Sequence, residues 1–301
     1  MDFKQIEAFV NVIRYKSFSR AADASFVTQP TISAHVSALE NELDVVLIER
    51  KKTEAIPTEA GKQLYKHSVN LINIREQAVR EMKKKRSDVD GVLTIQTSSA
   101  LGEHWLPSKL AEFKRLNPKV KYYVDQSDSS QVEKNIQDGQ GELGFIGKKP
   151  QYGLKNEVIL SDRMVVICPN NEKFSSLHKI SSMISIDQIE NEGFIWREEG
   201  SATRKEFERH LIQLGHKPNN LEAVALINSI EGIKKAVAAG LGISVVSEFS
   251  VSNAPSVDNN YLIFSIKEIE IERDFYMIWN KLSAISPTAE AFMEYILKTN
   301  D

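Results

Sequence analysis

Residues 17–43 read SFSRAADASFVTQPTISAHVSALENEL, and this stretch decides the fold of the N-terminal part. Ser17 is placed to cap a helix running through Phe18, Ala21 and Ala22, because a serine hydroxyl accepts from the free N–H groups of a first turn. The small alanines suit close helix contact. A short break follows at Phe26-Val27. Thr28 then caps a third helix, with Gln29 and Pro30 in its first turn, where proline's missing N–H costs nothing. Ile32, Val36, Leu39 and Leu43 recur at helical spacing and predict one buried stripe. Asp44 ends the helix. Upstream, Phe3, Ile6, Val10 and Ile13 predict a first amphipathic helix. Downstream, residues 46–57 read as two short strands around the polar tip Lys51-Lys52-Thr53-Glu54. Three short helices, a tight break and a wing predict a winged helix-turn-helix.

With Ile32, Val36, Leu39 and Leu43 facing inward, the opposite face of the third helix carries Pro30, Ala34, Ser37 and Ala38, with Ser33 on its flank. Small residues let a helix sit deep in a major groove. Ser33 and Ser37 suit phosphates or base edges, and Pro30 and Ala34 suit a thymine methyl. No arginine on this face offers bidentate contact to guanine, so DNA shape is expected to carry much of the specificity. Lys51 and Lys52 would add phosphate or minor-groove contacts. The residues alone also allow a helical bundle with a solvated polar face.

The rest of the chain sets the context. At 301 residues it has room for about two domains. Its one cysteine, Cys168, excludes an internal disulfide framework and a multi-cysteine zinc site. The N-terminus lacks an unbroken apolar run, so no signal peptide is read. No apolar stretch is long enough to span a membrane, and a cytoplasmic location is expected. Residues 1–90 carry 15 basic and 13 acidic side chains, against 23 and 28 in residues 91–301. Net charge alone therefore does not announce a nucleic-acid binder; pattern must do so. Within the first part, residues 59–86 hold 8 basic and 3 acidic side chains.

From Lys62 to Arg86 the pattern runs without Pro or Gly. Leu64, Leu71, Ala78 and Lys85 are seven apart, with Ile74 and Met82 between them. Counted over the 28 residues 59–86, such a helix would be a rod of about 42 Å, and a coiled coil with a second copy would bury its stripe. Leu64, Leu71, Ile74 and Ala78 are the expected dimerisation residues. From Gly91 onward strands and helices alternate. Strands are expected at Val92–Ile95, Val120–Val124, Leu143–Ile146, Met164–Cys168, Phe194–Trp196, Ala223–Ile227, Ile243–Val246 and Phe275–Trp279, with a last helix opening at Pro287. That alternation predicts an α/β architecture with a largely parallel sheet. About 200 residues is generous for one such sheet, so two lobes are expected.

Four segments place hydroxyl or amide groups at helix starts after strands: Ser98-Ser99, Ser127-Asp128-Ser129, Gly200-Ser201-Ala202-Thr203 and Asn228-Ser229. Ligands in open α/β sheets sit beyond the carboxyl ends of strands, where helix N-termini attract anions. Thr203-x-x-Glu206, Asn228-x-x-Glu231 and Asp128-x-x-Gln131 are also capping-box patterns, which need no ligand. Catalysis has no support. Cys168 stands inside an apolar strand before Pro169, and the histidines at 35, 67, 104, 178, 210 and 216 form no helical zinc pair. No phosphate loop, dinucleotide fingerprint or nucleophile elbow is present. A stand-alone solute-binding protein would account for residues 91–301 but not for the N-terminal segment.

The run Phe9-x-x-Val12, Ser17-Phe18-Ser19-x-Ala21-Ala22, Thr28-Gln29-Pro30-Thr31-Ile32-Ser33, Leu39-Glu40, Leu43, Leu47, Arg50 and Thr58-Glu59-Ala60-Gly61 closely resembles the N-terminal signature of LysR-type transcriptional regulators. The resemblance implies a winged helix-turn-helix over 1–58 and a dimerising linker helix over 59–88. It implies a two-lobed effector domain, like a periplasmic binding protein, over 91–301, with lobe one at 91–160 and 267–301 and lobe two at 161–266. Carried over by position, the DNA-contacting residues fall on Gln29, Pro30, Thr31, Ser33 and Ala34, with Ser37 from the face above, and on the wing residues Arg50, Lys51, Lys52 and Thr53. The chain departs from the pattern at Ser25 (usually leucine), Asp44 (usually glycine), Ile48 (usually phenylalanine) and Thr53 (often arginine). Arg197-Glu198-Glu199-Gly200-Ser201-Ala202-Thr203-Arg204 resembles a motif of part of the family, as does Ala239-Gly240-Leu241-Gly242-Ile243-Ser244. On that basis a small anionic effector is expected against Ser98, Ser99, the Gly147 backbone, Ser201 and Thr203, with Arg197 nearby. The implied partners are double-stranded DNA at a dyad-like promoter site, a second copy in a homodimer or homotetramer, the effector, and RNA polymerase. No metal or cofactor is implied, nor a membrane, nor an enzymatic activity.

Overall fold

The computed structural model describes residues 1–50, 54–82, 89–151, 153–252 and 260–299. The head is built from α1 (Phe3–Tyr15), α2 (Phe18–Ala24) and α3 (Gln29–Leu43), then the antiparallel wing strands β1 (Ile48–Arg50) and β2 (Ala55–Pro57). Asp2 and Gln5 form a capping box on α1, and Ser17 and Thr28 cap α2 and α3. The expected stripe holds for Ile32, Val36 and Leu39, which pack with Phe9, Val12, Ala21 and Leu47. Leu43 departs from it: the helix ends there, and the side chain is 40% exposed. Glu40 ties the wing to α3 by accepting from the N–H groups of Leu47 at 2.8 Å and Ile48 at 3.1 Å.

The linker helix α4 (Glu59–Met82) starts against the wing. Thr58 Oγ1 donates to Val46 C=O at 2.8 Å and accepts from Gly61 N–H at 3.0 Å. Gly61 is required there, because a Cβ would lie 2.1 Å from Leu47 O. Lys85, expected on the heptad stripe, lies outside the described residues.

The α/β part contains β3 (Gly91–Ser98), α5 (Ser99–His104), α6 (Leu106–Leu116), β4 (Val120–Ser127), α7 (Ser129–Gln137), β5 (Leu143–Ile146) and the long β6 (Leu154–Pro169). It continues through α8 (Glu172–Ile180), β7 (Met183–Ile184), α9 (Ile186–Ile189), β8 (Phe194–Trp196), α10 (Ala202–Gln213), β9 (Ala223–Leu226) and α11 (Ile230–Ala238). Then come β10 (Ser244–Ser247), α12 (Phe249–Ser252), β11 (Tyr261–Ile266), β12 (Glu272–Asn280) and α13 (Pro287–Thr299). The strand order is β4-β3-β5-β12-β6-β11-β7, with β10 also on β6 and a separate β8–β9 pair.

The sheet is mixed, not largely parallel. β3 runs parallel to β4 and β5, but β12 is antiparallel to both β5 and β6, and β10 and β11 are antiparallel to β6. The reason is β6, which joins two sheets. Residues 154–163 pair with β12, and residues 164–169 pair with β10 and β11. Separate apolar cores follow. One gathers Leu93, Phe113, Phe145, Phe275 and Phe292; another gathers Phe174, Phe194, Phe207 and Phe264.

Candidate functional site

One cavity lies where the carboxyl ends of β3 and β5 meet the start of α10. Its walls include Ser98, Ser99, Asp128, Ser129, Gly147, Arg197, Ser201, Thr203 and Arg273, so all six residues expected at an effector site converge on it. The cavity measures about 20 Å³, room for roughly one water-sized centre. Each wall follows from local chain logic. Ser98 ends β3 and precedes α5 but makes no capping bond; its buried Oγ has no hydrogen-bond partner. Asp128 caps α7 by accepting from Ser130 N–H at 2.9 Å and Gln131 N–H at 3.0 Å. Ser201 caps α10. The cap expected at Asp128 is present, but α10 is capped by Ser201 rather than Thr203 and α11 by Ser229 rather than Asn228; Asp128, Ser201 and Thr203 all line the cavity.

Two arginines supply the positive charge. Arg197 follows β8, is buried, and donates through Nη2 to Ser99 Oγ at 3.3 Å and to Glu198 at 2.7 Å. Its carbonyl accepts from Arg204 Nη1 at 3.0 Å. Arg273 on β12 was absent from the expected set. Its Nη1 donates to Thr203 Oγ1 at 2.9 Å, while Nε and Nη2 donate to Asp162 Oδ2, each at 3.2 Å. Burial pulls the Arg273 guanidinium below its ordinary pKa, and Asp162 opposes that. Its signal was in the sequence: with period two, Arg273 falls in phase with Ile271, Phe275 and Met277, all buried. A charged residue on the buried face of a strand needs a partner.

The two sides approach closely. A Cβ on Gly200 would lie 2.1 Å from Asp128 Oδ1, so only glycine fits. Ser130 Oγ bridges Lys205 Nζ at 3.2 Å and Gly200 C=O at 3.4 Å.

On the head, Gln29, Pro30 and Ala34 are exposed, and Thr31, Ser33 and Ser37 are half-buried, all on α3 away from its core stripe. Lys51, Lys52 and Thr53, and the side chain of Arg50, lie outside the described residues. On α4, Leu64 turns partly into the head core. Leu71, Ile74 and Ala78 are exposed, together with Val79 and Met82. The opposite face of α4 docks on the α/β part. Asn73 Nδ2 donates to Ala284 C=O at 2.7 Å, and Asn70 Oδ1 accepts from Ala284 N–H at 2.7 Å. Glu142 Oε1 accepts from Asn73 Nδ2 at 3.4 Å and from Ser286 N–H at 2.9 Å.

Among the described residues, two groups bring a histidine and two carboxylates within reach of one cation: Glu103, His104 and Glu231, and Asp187, Glu190 and His216. In the first, the Lys234 ammonium already sits 2.7 Å from Glu231; in the second, His216 Nδ1 is 2.8 Å from Glu190. Cys168 is fully buried, and burial pushes its thiol pKa well up. No helix among the described residues is long and apolar enough to cross a membrane.

Two family models match the chain. The bacterial regulatory helix-turn-helix protein, lysR family, covers residues 3–62, and the LysR substrate binding domain covers residues 86–301. The regulator CysL of Bacillus subtilis is 29% identical over 301 residues, covering 100% of this chain and 98% of that protein. The activator CmpR of Synechocystis is 28% identical, covering 97% and 93%. Among solved structures, a cysteine-to-aspartate variant of full-length OxyR from Pseudomonas aeruginosa superposes with a TM-score of 0.76 at 19% identity, covering 99% and 97%. Full-length CbnR with its target DNA gives 0.63 at 19% identity, covering 99% and 100%. The regulatory domain of Synechocystis CcmR with 2-PG gives 0.63 at 23% identity, covering 70% and 98%. With a family model spanning most of the sequence and a second matching its head, this chain belongs to the LysR family: it is a transcriptional regulator with a helix-turn-helix DNA-binding domain and an effector-binding domain, not an enzyme.

Proposed function

We propose that this regulator is switched by a small oxyanion held in the cavity between Ser98, Ser99, Gly147, Arg197, Ser201, Thr203 and Arg273. The observation that carries this is the presence in one cavity wall of Ser98 Oγ, buried without a partner, and two buried guanidinium groups. Arginine forks match oxyanions, and hydroxyls and helix N–H groups complete the shell. The structure of the CcmR regulatory domain in complex with 2-PG is compatible with a ligand of this kind in such a domain.

The protein works as a homodimer or homotetramer in the cytoplasm, joined through Leu71, Ile74 and Ala78 of paired linker helices. Paired heads then read half-sites related by a dyad, as CbnR was crystallised on its target DNA. Anion binding shifts the population of head arrangements. β5 offers the route: its carboxyl end meets the cavity at Gly147, and Glu142, just before its start, meets Asn73 of the linker. RNA polymerase is the partner that reads the outcome. The test is calorimetry of sulfate, phosphate and small carboxylates against wild type and Thr203→Val. Removing the hydroxyl that accepts from Arg273 should weaken the bound anion about tenfold; unchanged binding of every anion contradicts the site.

A further inference from the structure

Each helix of the head ends in a left-handed residue, and none of the three is glycine: Lys16 has φ +53°, Phe26 +55° and Asp44 +50°. At the end of α2 the chain closes with two hydrogen bonds, Val27 N–H to Ala22 C=O at 3.1 Å and Phe26 N–H to Asp23 C=O at 3.3 Å. This closure forces positive φ on the residue between, a place that glycine or asparagine ordinarily takes. Aspartate tolerates that conformation; a bulky aromatic is an outlier there. Burial does not compensate. Phe26 is 89% exposed, the most exposed large apolar side chain among the described residues, and Val27 beside it is 42% exposed. The patch runs on into exposed Thr28, Gln29 and Pro30 at the start of α3, the end of a reading helix that meets base edges.

We propose that Phe26 is a DNA-contacting residue, packing its ring on the deoxyribose edge at the groove rim and setting how deep α3 sits. The proposal rests on the DNA-binding role of the head and adds a contact to it. A strained, solvated phenylalanine is unfavourable in the free protein and gains by covering apolar sugar carbons in the complex.

The test uses the full chain, wild type, Phe26→Asn, Phe26→Gly and Phe26→Leu, on a mixed-sequence duplex that spans two successive major grooves. Affinity is read by fluorescence anisotropy over a salt series, and melting temperature is read in parallel. Phe26→Asn and Phe26→Gly should melt a few degrees higher, with the strain relieved, and yet bind DNA about tenfold more weakly. The slope of log affinity against log salt should stay unchanged, because no phosphate contact is lost. Phe26→Leu should keep most of the affinity. Wild-type affinity in both Asn and Gly variants overturns the proposal, as does a shallower salt slope. Failure of wild type to bind any duplex would instead overturn the DNA-reading head itself.

Discussion

Asp162→Asn keeps the shape of the side chain and removes the counter-charge of Arg273. Both side chains are inaccessible, at 1% and 5% exposure, and two guanidinium nitrogens lie 3.2 Å from one carboxylate oxygen. Unit charges at such a distance attract by about 4–5 kcal/mol at an effective dielectric of roughly 20. Breaking a buried pair from one side costs about 3–5 kcal/mol. The amide retains part of the hydrogen bonding, so the expected loss is about 3 kcal/mol. For a unit of this size that lowers the melting temperature by roughly 6–12 °C. An anion beside Arg273 then supplies the missing negative charge. In wild type, sulfate at about a hundredfold over its dissociation constant should stabilise by about 2.7 kcal/mol. In Asp162→Asn it binds a more positive cavity, so the gap between variant and wild type should narrow by about 1 kcal/mol or more. The assay is thermal unfolding of both proteins across a sulfate titration at constant ionic strength. The gap is the observable, because general exclusion of sulfate from protein surfaces moves both proteins alike. A gap of the same size at every sulfate concentration refutes the placement of an anion beside Arg273.

Three further outcomes follow from the same geometry. Gly200→Ala puts a Cβ where Asp128 Oδ1 stands 2.1 Å away, so the two walls must part; the sulfate-dependent rise in melting temperature should fall by at least about half, and a full rise contradicts the close approach. Leu71→Asp places a charge on the exposed linker stripe and should dissociate the assembly; light scattering that still reports the wild-type mass refutes pairing through that stripe. Iodoacetamide should leave Cys168 unmodified in the folded protein and label it in denaturant, since the thiol is buried with its pKa pushed up; native labelling at the denatured rate contradicts its buried position.

What the sequence disclosed followed the range of the interactions. The head was legible because its signals are local: caps at Ser17 and Thr28, and the stripe Ile32, Val36, Leu39. Leu43 broke the stripe because it is the last residue of α3, and periodicity does not say how well the end of a helix is covered. β5 and β8 were found at their bounds as short apolar runs. Residues 154–163 of β6 were not, because their pairing with β12 spans more than a hundred residues of chain, and the sheet's antiparallel character depends on that pairing. The cavity walls were reachable from helix starts and a motif. Arg273 and Asp162 were not, since a polar pair inside strands shows only when burial phase is read alongside charge. The Asn70–Asn73 clasp on Ala284 joins segments more than 200 residues apart, and no local pattern announces it.

The most direct test of the central claim is a footprint of the purified full-length protein on the DNA upstream of its own gene, at two salt concentrations, with wild type and Ser33→Asp side by side. Ser33 lies half-buried on the flank of the outer face of α3, and a carboxylate there would meet phosphate. The expected result is a dyad-like protected site with wild type, weakened by salt, and no protection with Ser33→Asp. Equal protection by both proteins at matched salt would contradict the docking of α3 in the groove.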